Sequence, residues 1–72
     1  MVNLNKLRGK MVECGFTIKT LSIETGIKEA TLSRRFSSNG EDFSIKEADS
    51  LAKALNLTEE EVNAIFFSQY VA

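Results

Sequence analysis

The middle of this 72-residue chain contains several basic side chains that could bind an anion. Lys28, Arg34 and Arg35 lie within one short segment, and an arginine guanidinium can bind a phosphate or a guanine edge through two hydrogen bonds. The chain has no His and one Cys, so it lacks the commonest general base, the commonest metal ligand and an internal disulfide. These residues favour anion binding over catalysis. We expect no enzyme activity, small-molecule substrate, metal or cofactor.

Charge is divided unevenly along the chain, although the net charge is only −1. Residues 1–40 carry seven cations and three anions, whereas residues 41–72 carry two cations and seven anions. A basic half hints at a polyanionic partner, but a solvated surface of uneven charge explains it equally well. No segment has the apolar run of a signal peptide or of a membrane span, so we expect a cytoplasmic protein without a membrane partner.

The spacing of apolar residues predicts five helices, no strand and one domain spanning residues 1–72. The first helix ends at Gly15. Its buried face is predicted to comprise Leu4, Leu7, Met11 and Cys14. Thr17 begins the second helix and Gly26 ends it, with the small Ser22 where another helix approaches closely. The third helix runs from 28 to 36, and its inward residues are predicted to be Ile27, Thr31, Leu32 and Phe36.

Two further helices follow a polar loop at 37–42. Ser44 and Glu47 form a capping box before the fourth helix, and Thr58 and Glu61 form one before the fifth. Asn56 is predicted to end the fourth helix in the left-handed conformation. The apolar face of the fourth helix is predicted to comprise Ile45, Ala48, Leu51, Ala52 and Leu55, and that of the fifth Val62, Ile65 and Phe66.

The pair of helices around Gly26 looks like a helix-turn-helix, in which Gly supplies the left-handed turn and Ile27 and Leu32 fix the angle between the helices. The stretch Leu51–Thr58 (LAKALNLT) adds to the likeness. From Leu4 to Phe67 the chain resembles the lambda/434-repressor-like, or xenobiotic-response-element-type, DNA-binding domains, and among them the short phage repressor and Cro-type regulators. The resemblance implies an all-α, five-helix fold and a regulator of transcription.

It also implies that the third helix enters the major groove of double-stranded DNA. Arg34 would pair with guanine, Glu29 with a cytosine amino group and Ala30 with a thymine methyl. The remaining cations and the loop after the helix would meet phosphates. The implied DNA-binding residues are Lys19, Lys28, Glu29, Ala30, Ser33, Arg34, Arg35, Ser38, Asn39 and Lys46.

Apolar residues near the C-terminus exceed what the fifth helix needs for the core. Phe67, Tyr70 and Val71 remain once the buried stripe is complete, and grouped apolar surface often marks an interface. One recognition helix reads only a few base pairs, so two copies on a pseudo-palindrome are expected. These three residues are therefore predicted to form a homodimer contact.

A second functional class stays open. Ile18 stands where the family often has a phosphate-binding Gln, and Ile23 falls on a face that is usually solvated. Either residue could belong to the core or to a partner surface. Together with the net negative charge, they suit a protein-interaction module on the same scaffold, such as an antitoxin or an anti-repressor.

Overall fold

The computed structural model describes residues 2–37 and 43–67, and within those ranges it contains five α-helices and no strand. The helices are α1 (Leu4–Glu13), α2 (Ile18–Thr25), α3 (Glu29–Ser37), α4 (Ile45–Ala54) and α5 (Glu59–Phe66). The predicted all-α class and helix order are confirmed. None of the helices in the described ranges is long and apolar enough to cross a membrane.

Reciprocal capping boxes begin three of the helices. Thr17, Ser44 and Thr58 each accept a hydrogen bond from the backbone amide three residues later, and each returns its own amide to that residue's side chain. For α4 and α5 the returning acceptors are the carboxylates of Glu47 and Glu61, each at 2.9 Å. Both predicted boxes are confirmed, and each satisfies two amides that a helix start leaves unpaired.

Left-handed residues end α1 and α4. Gly15 has a φ of +78° and Asn56 a φ of +52°. The amides of Phe16 and Leu57 then donate to carbonyls five residues earlier, at 2.8 and 2.9 Å. These are Schellman ends, which turn the chain back so that the following apolar side chain packs on the last helical turn. The predicted stops at Gly15 and Asn56 are confirmed.

All five helices contribute to one buried core. Six of its side chains are exposed by 2% or less, which places them at its centre: Leu7, Leu21, Leu32, Leu51, Leu55 and Ile65. Met11, Phe36, Ala48 and Phe66 complete the buried set. Phe43 joins α3 to α5 because its ring meets those of Phe36 and Phe66 edge-on, with centroids 5.9 and 6.0 Å apart.

Two residues predicted to be buried are exposed. The prediction for Cys14 was wrong because α1 ends at Glu13, so Cys14 follows the helix instead of continuing its apolar face; it is exposed, although its Sγ lies 3.7 Å from the Leu55 carbonyl. Ile45 is 82% exposed because it is the first residue of α4 and lies beyond the buried side chains of that helix, which begin at Ala48.

The two isoleucines left undecided have different surroundings. Ile18 is half-buried and packs against the core, whereas Ile23 on the outer side of α2 is 75% exposed. Ile18 therefore belongs partly to the core, whereas Ile23 does not belong to it.

Candidate nucleic-acid interface

Two hydroxyl groups hold the turn between α2 and α3. Ser22 donates from its Oγ to the carbonyl of Ile27 at 2.5 Å. Thr25 donates to the carbonyl of Leu21 at 2.8 Å and accepts from the amide of Ile27 at 3.2 Å. Between them Gly26 has a φ of +78°, which an L-residue rarely adopts. Ser22 is therefore more than a small residue that lets another helix approach closely. Its hydroxyl also links α2 to the segment that starts α3.

Buried side chains fix how α3 lies on the domain. Leu32 is fully buried and Phe36 nearly so, while Ile27 and Thr31 are half-buried. These are the four inward residues that the spacing predicted. The helix is displaced one residue from the predicted range of 28 to 36, since the Lys28 carbonyl accepts the first helical bond, from the amide of Leu32 at 3.0 Å. Lys28 is thus the residue from which α3 starts.

The opposite face of α3 is exposed to solvent. Glu29, Ala30, Ser33 and Arg34 are all exposed, and their spacing of one, three and one residues places them on one side of a helix. Among the described residues, no carboxylate forms an ion pair with Arg34. This face offers an anion, a methyl group, a hydroxyl and a guanidinium to whatever lies against it.

Three further cations stand at the starts of helices. Lys19 is the second residue of α2, Lys28 directly precedes α3, and Lys46 is the second residue of α4; all three are exposed. Helix starts also present free backbone amides, which favour anions. Ser38 and Asn39 of the predicted set lie outside the described residues.

Arg35 has a partner that the sequence prediction missed. Its Nε lies 3.0 Å from Oε1 of Glu47 and its second guanidinium nitrogen 3.2 Å from Oε2, so the pair is bidentate and joins α3 to α4. The side chains are 22% and 16% exposed. A signal was present in the sequence: Arg35 follows the buried Leu32 by three residues, which places it beside the inward stripe and away from Arg34.

Glu47 thus has two tasks at once. Its carboxylate accepts from the backbone amide of Ser44 in the capping box and from Arg35. The Arg35 hydrogen bond, reinforced by the bond from Ser44, holds the pKa of Glu47 below its usual 4.5 against the opposing effect of burial. The carboxylate is therefore charged at neutral pH, and the start of α4 is tied to α3.

A second ion pair braces the other side of the domain. Lys10 Nζ lies 2.8 Å from Oε2 of Glu61, which joins the end of α1 to the capping box of α5. The hydrogen bond from Lys10 lowers the pKa of Glu61. Glu61, like Glu47, was predicted only as a cap, because nothing in the linear spacing reports a partner on a distant helix.

Of the predicted dimer contact, only Phe67 lies within the described residues; Tyr70 and Val71 are outside them. Phe67 is 37% exposed. It borders a hollow of about 50 Å³ that is also lined by Val2, Phe43 and Ile45. Apolar side chains from both ends of the described chain thus meet at one surface.

A known family of DNA-binding domains matches most of this chain. A family model described as a Cro/C1-type HTH DNA-binding domain matches residues 6–67. No curated protein and no solved structure matches the sequence at a significant level. The matched range includes all of α2 and α3, the turn at Gly26 and the exposed face of α3. The chain therefore belongs to the family of Cro/C1-type helix-turn-helix DNA-binding domains and has the lambda-repressor-like fold.

Proposed function

We propose that this protein is a sequence-specific transcriptional regulator of the repressor or Cro kind, which reads the major groove of double-stranded DNA with α3. The observation that carries the proposal is the exposed face of Glu29, Ala30, Ser33 and Arg34 on a helix whose other face is anchored in the core. A rigid helix with exposed polar side chains is the element that fits the major groove. We infer that the whole chain acts as one DNA-binding unit in the compartment that holds the DNA.

Each cation receives a role from its position. Arg34 reads a guanine, because its guanidinium is exposed and pairs with no described carboxylate. Lys19, Lys28 and Lys46 meet phosphates at the starts of three helices. Arg35 is reassigned from phosphate binding to positioning, since its bidentate bond with Glu47 holds the reading helix against the helix that carries Lys46.

Replacing Arg34 by Ala should weaken binding to the selected site by 1–3 kcal/mol, or roughly 5- to 150-fold, and relax the preference at one base position. The site is found by selecting bound duplexes from a random pool, and affinity is measured by gel shift over a range of salt. Lys19→Ala should weaken all sequences alike and reduce the salt slope by about one.

Lys53→Ala is the matched control, because Lys53 is an exposed cation of α4 that pairs with Asp49 and lines a groove between α2 and α4. It should leave both affinity and preference unchanged. A folded Arg34→Ala protein that binds its selected site as tightly as the parent would show that Arg34 does not read a base.

We further propose that the regulator acts as a homodimer through Phe67, Tyr70 and Val71. Two copies would place their reading helices about one DNA turn, roughly 34 Å, apart. The exposed Phe67, with Val2 and Ile45 around the same hollow, supports an apolar contact at this end of the domain. The patch is small, so DNA must supply part of the assembly energy.

Replacing Phe67 by Asp should shift sedimentation toward the monomer and turn a two-copy complex on a full site into a one-copy complex, because a desolvated charge opposes an apolar contact. Ile23→Asp is the control, since Ile23 is an exposed apolar residue outside this patch. A one-to-one complex of the parent protein on its full site would contradict the proposal.

The alternative function, a protein-interaction module such as an antitoxin or an anti-repressor, is favoured by one observation: Ile23 and Val12 are more than 70% exposed, at 75% and 79%. If the random pool yields no enriched duplex and binding shows no salt dependence, this alternative replaces DNA binding.

A further inference from the structure

A groove of about 370 Å³ lies between α1, the start of α2 and the outer side of α3. Its apolar walls come from Met11, Val12, Phe16, Ile18 and Phe36. The size falls in the range typical of sites for small molecules. Among the described residues, the groove shares no lining residue with the hollow beside Phe67.

Two apolar residues of this groove leave apolar surface that the core does not cover. Val12 is 79% exposed on α1, so it contributes little to the core. Ile18 is the first residue of α2, and its apolar side chain has no hydrogen-bond donor for a phosphate. A ligand with an apolar body would bury both side chains and remove their apolar surface from water, which favours binding.

The polar side of the groove is cationic. Arg8 is the only charged side chain among the described residues that line it, and its guanidinium carbon lies 5.4 Å from the centroid of the Phe36 ring. A cation over an aromatic face is held in place without losing its hydrogen-bonding edge. None of the ion pairs among the described residues uses Arg8. The groove therefore combines an apolar floor with a positioned guanidinium.

We propose that this groove binds a small amphipathic anion, an aromatic carboxylate whose ring lies between Val12 and Ile18 and whose carboxylate pairs with Arg8. Charge complementarity selects an anion, and the planar fork of the guanidinium selects a carboxylate that accepts two parallel bonds. The remaining lining hydroxyls belong to Ser33 and Ser37.

Ser33 connects this groove to DNA binding. It lines the groove and also belongs to the exposed face of α3 that is proposed to read bases. A ligand seated there stands beside the reading helix, so occupancy and DNA binding oppose each other. This regulatory step rests on the proposed function, whereas the binding step does not.

The test uses 1-naphthoate and its neutral analogue 1-naphthamide, titrated into the DNA-free protein and followed by amide chemical shifts. The carboxylate should bind with a Kd below about 100 µM and about tenfold more tightly than the amide, because hydrogen bonds between charged groups are about twice as strong as neutral ones. Shift changes should be confined to the residues around Val12, Ile18 and Ser37. Millimolar binding, equal affinity for both probes or changes centred elsewhere would overturn the proposal.

Substitutions in the groove test the charged contact and the apolar contact of the ligand separately. Arg8→Met keeps the apolar stem and should make the two probes bind equally, whereas Val12→Ser should weaken both. Ile23→Ser is the matched control, because it removes an equally exposed apolar side chain outside the groove and should change neither affinity. Thermal melts confirm that each variant is folded. An Arg8→Met protein that still prefers naphthoate would overturn the role of Arg8.

Competition is measured separately. Naphthoate should raise the apparent Kd for duplex DNA in the parent protein and have no such effect in Arg8→Met. Binding in the groove with unchanged DNA affinity would overturn the regulatory step. If the protein binds no duplex at all, the proposed DNA-binding function is refuted. The chemical shifts and the affinities for the two probes would still test whether the groove binds an aromatic carboxylate.

Discussion

Replacing Ser22 by Leu is expected to lower the free energy of unfolding by about 2–4 kcal/mol. Ser22 is half-buried where α2 meets the turn, and its hydroxyl donates to the carbonyl of Ile27. A leucine would overpack the contact, at about 1–3 kcal/mol, and remove the half-buried hydrogen bond to that carbonyl, at about 1 kcal/mol. The average stability per residue gives a domain of this length roughly 4–11 kcal/mol, so the loss is a large fraction of the total.

Thermal and urea unfolding measure this effect, and the melting temperature should fall by roughly 8–32 °C. Glu24→Leu is the control for adding an apolar side chain to the exposed side of the same helix. Ser22→Ala should cost about 1 kcal/mol or less, because alanine loses the hydrogen bond but gains helix propensity. Equal stability of the Ser22→Leu and Glu24→Leu proteins would contradict the assigned packing.

Replacing Glu47 by Ala is expected to cost about 2–3 kcal/mol of stability and to weaken DNA binding beyond that loss. The change removes one half of the capping box of α4 and the bidentate bond between Glu47 and Arg35, a side chain that is only 22% exposed. Hydrogen bonds to charged groups contribute about 1.5–3 kcal/mol. DNA affinity should fall as well, because the ion pair that fixes α3 relative to α4 is then lost.

Asp49→Ala is the matched control on the same helix. Asp49 pairs with Lys53 at 3.0 Å, but the two side chains are 61% and 79% exposed, so the pair should contribute about 0.5 kcal/mol or less. Urea unfolding compares the two variants, and gel shifts are made at temperatures where both are fully folded. If Glu47→Ala costs no more than Asp49→Ala, the bridge between α3 and α4 is not a structural brace.

The ion pair between Arg35 and Glu47 should also make the free energy of unfolding depend on pH in the acid range. The pKa of Glu47 is lower in the folded protein than its usual 4.5, and so is that of Glu61. The stabilisation is therefore fully present above about pH 5 and is lost as the pH falls through the lowered folded values. Glu47→Gln should flatten part of that fall in unfolding free energy. An unchanged slope between pH 5 and 3 would argue against the Arg35 bond.

Local chemistry was readable directly from the sequence. The capping boxes at Ser44 and Thr58, the left-handed stops at Gly15 and Asn56 and the inward stripe of α3 each depend on residues within five positions of one another. Backbone hydrogen bonding and helical periodicity act over that distance, so residue type and spacing suffice to predict them. The likeness to a helix-turn-helix was also local, because it depends on Gly26 in the turn and on the apolar Ile27 and Leu32 that set the angle between the two helices.

The tertiary structure decided which of the remaining side chains have partners. Sequence spacing placed Cys14 and Ile45 on buried faces, but burial depends on where a helix ends and on whether another element covers it. Likewise, Arg34 and Arg35 are neighbours of the same type, yet one is exposed and the other is bound to Glu47 twelve residues away. Ion pairs and grooves between helices join residues whose separation along the chain carries no period, so only the packing of the helices brings them together.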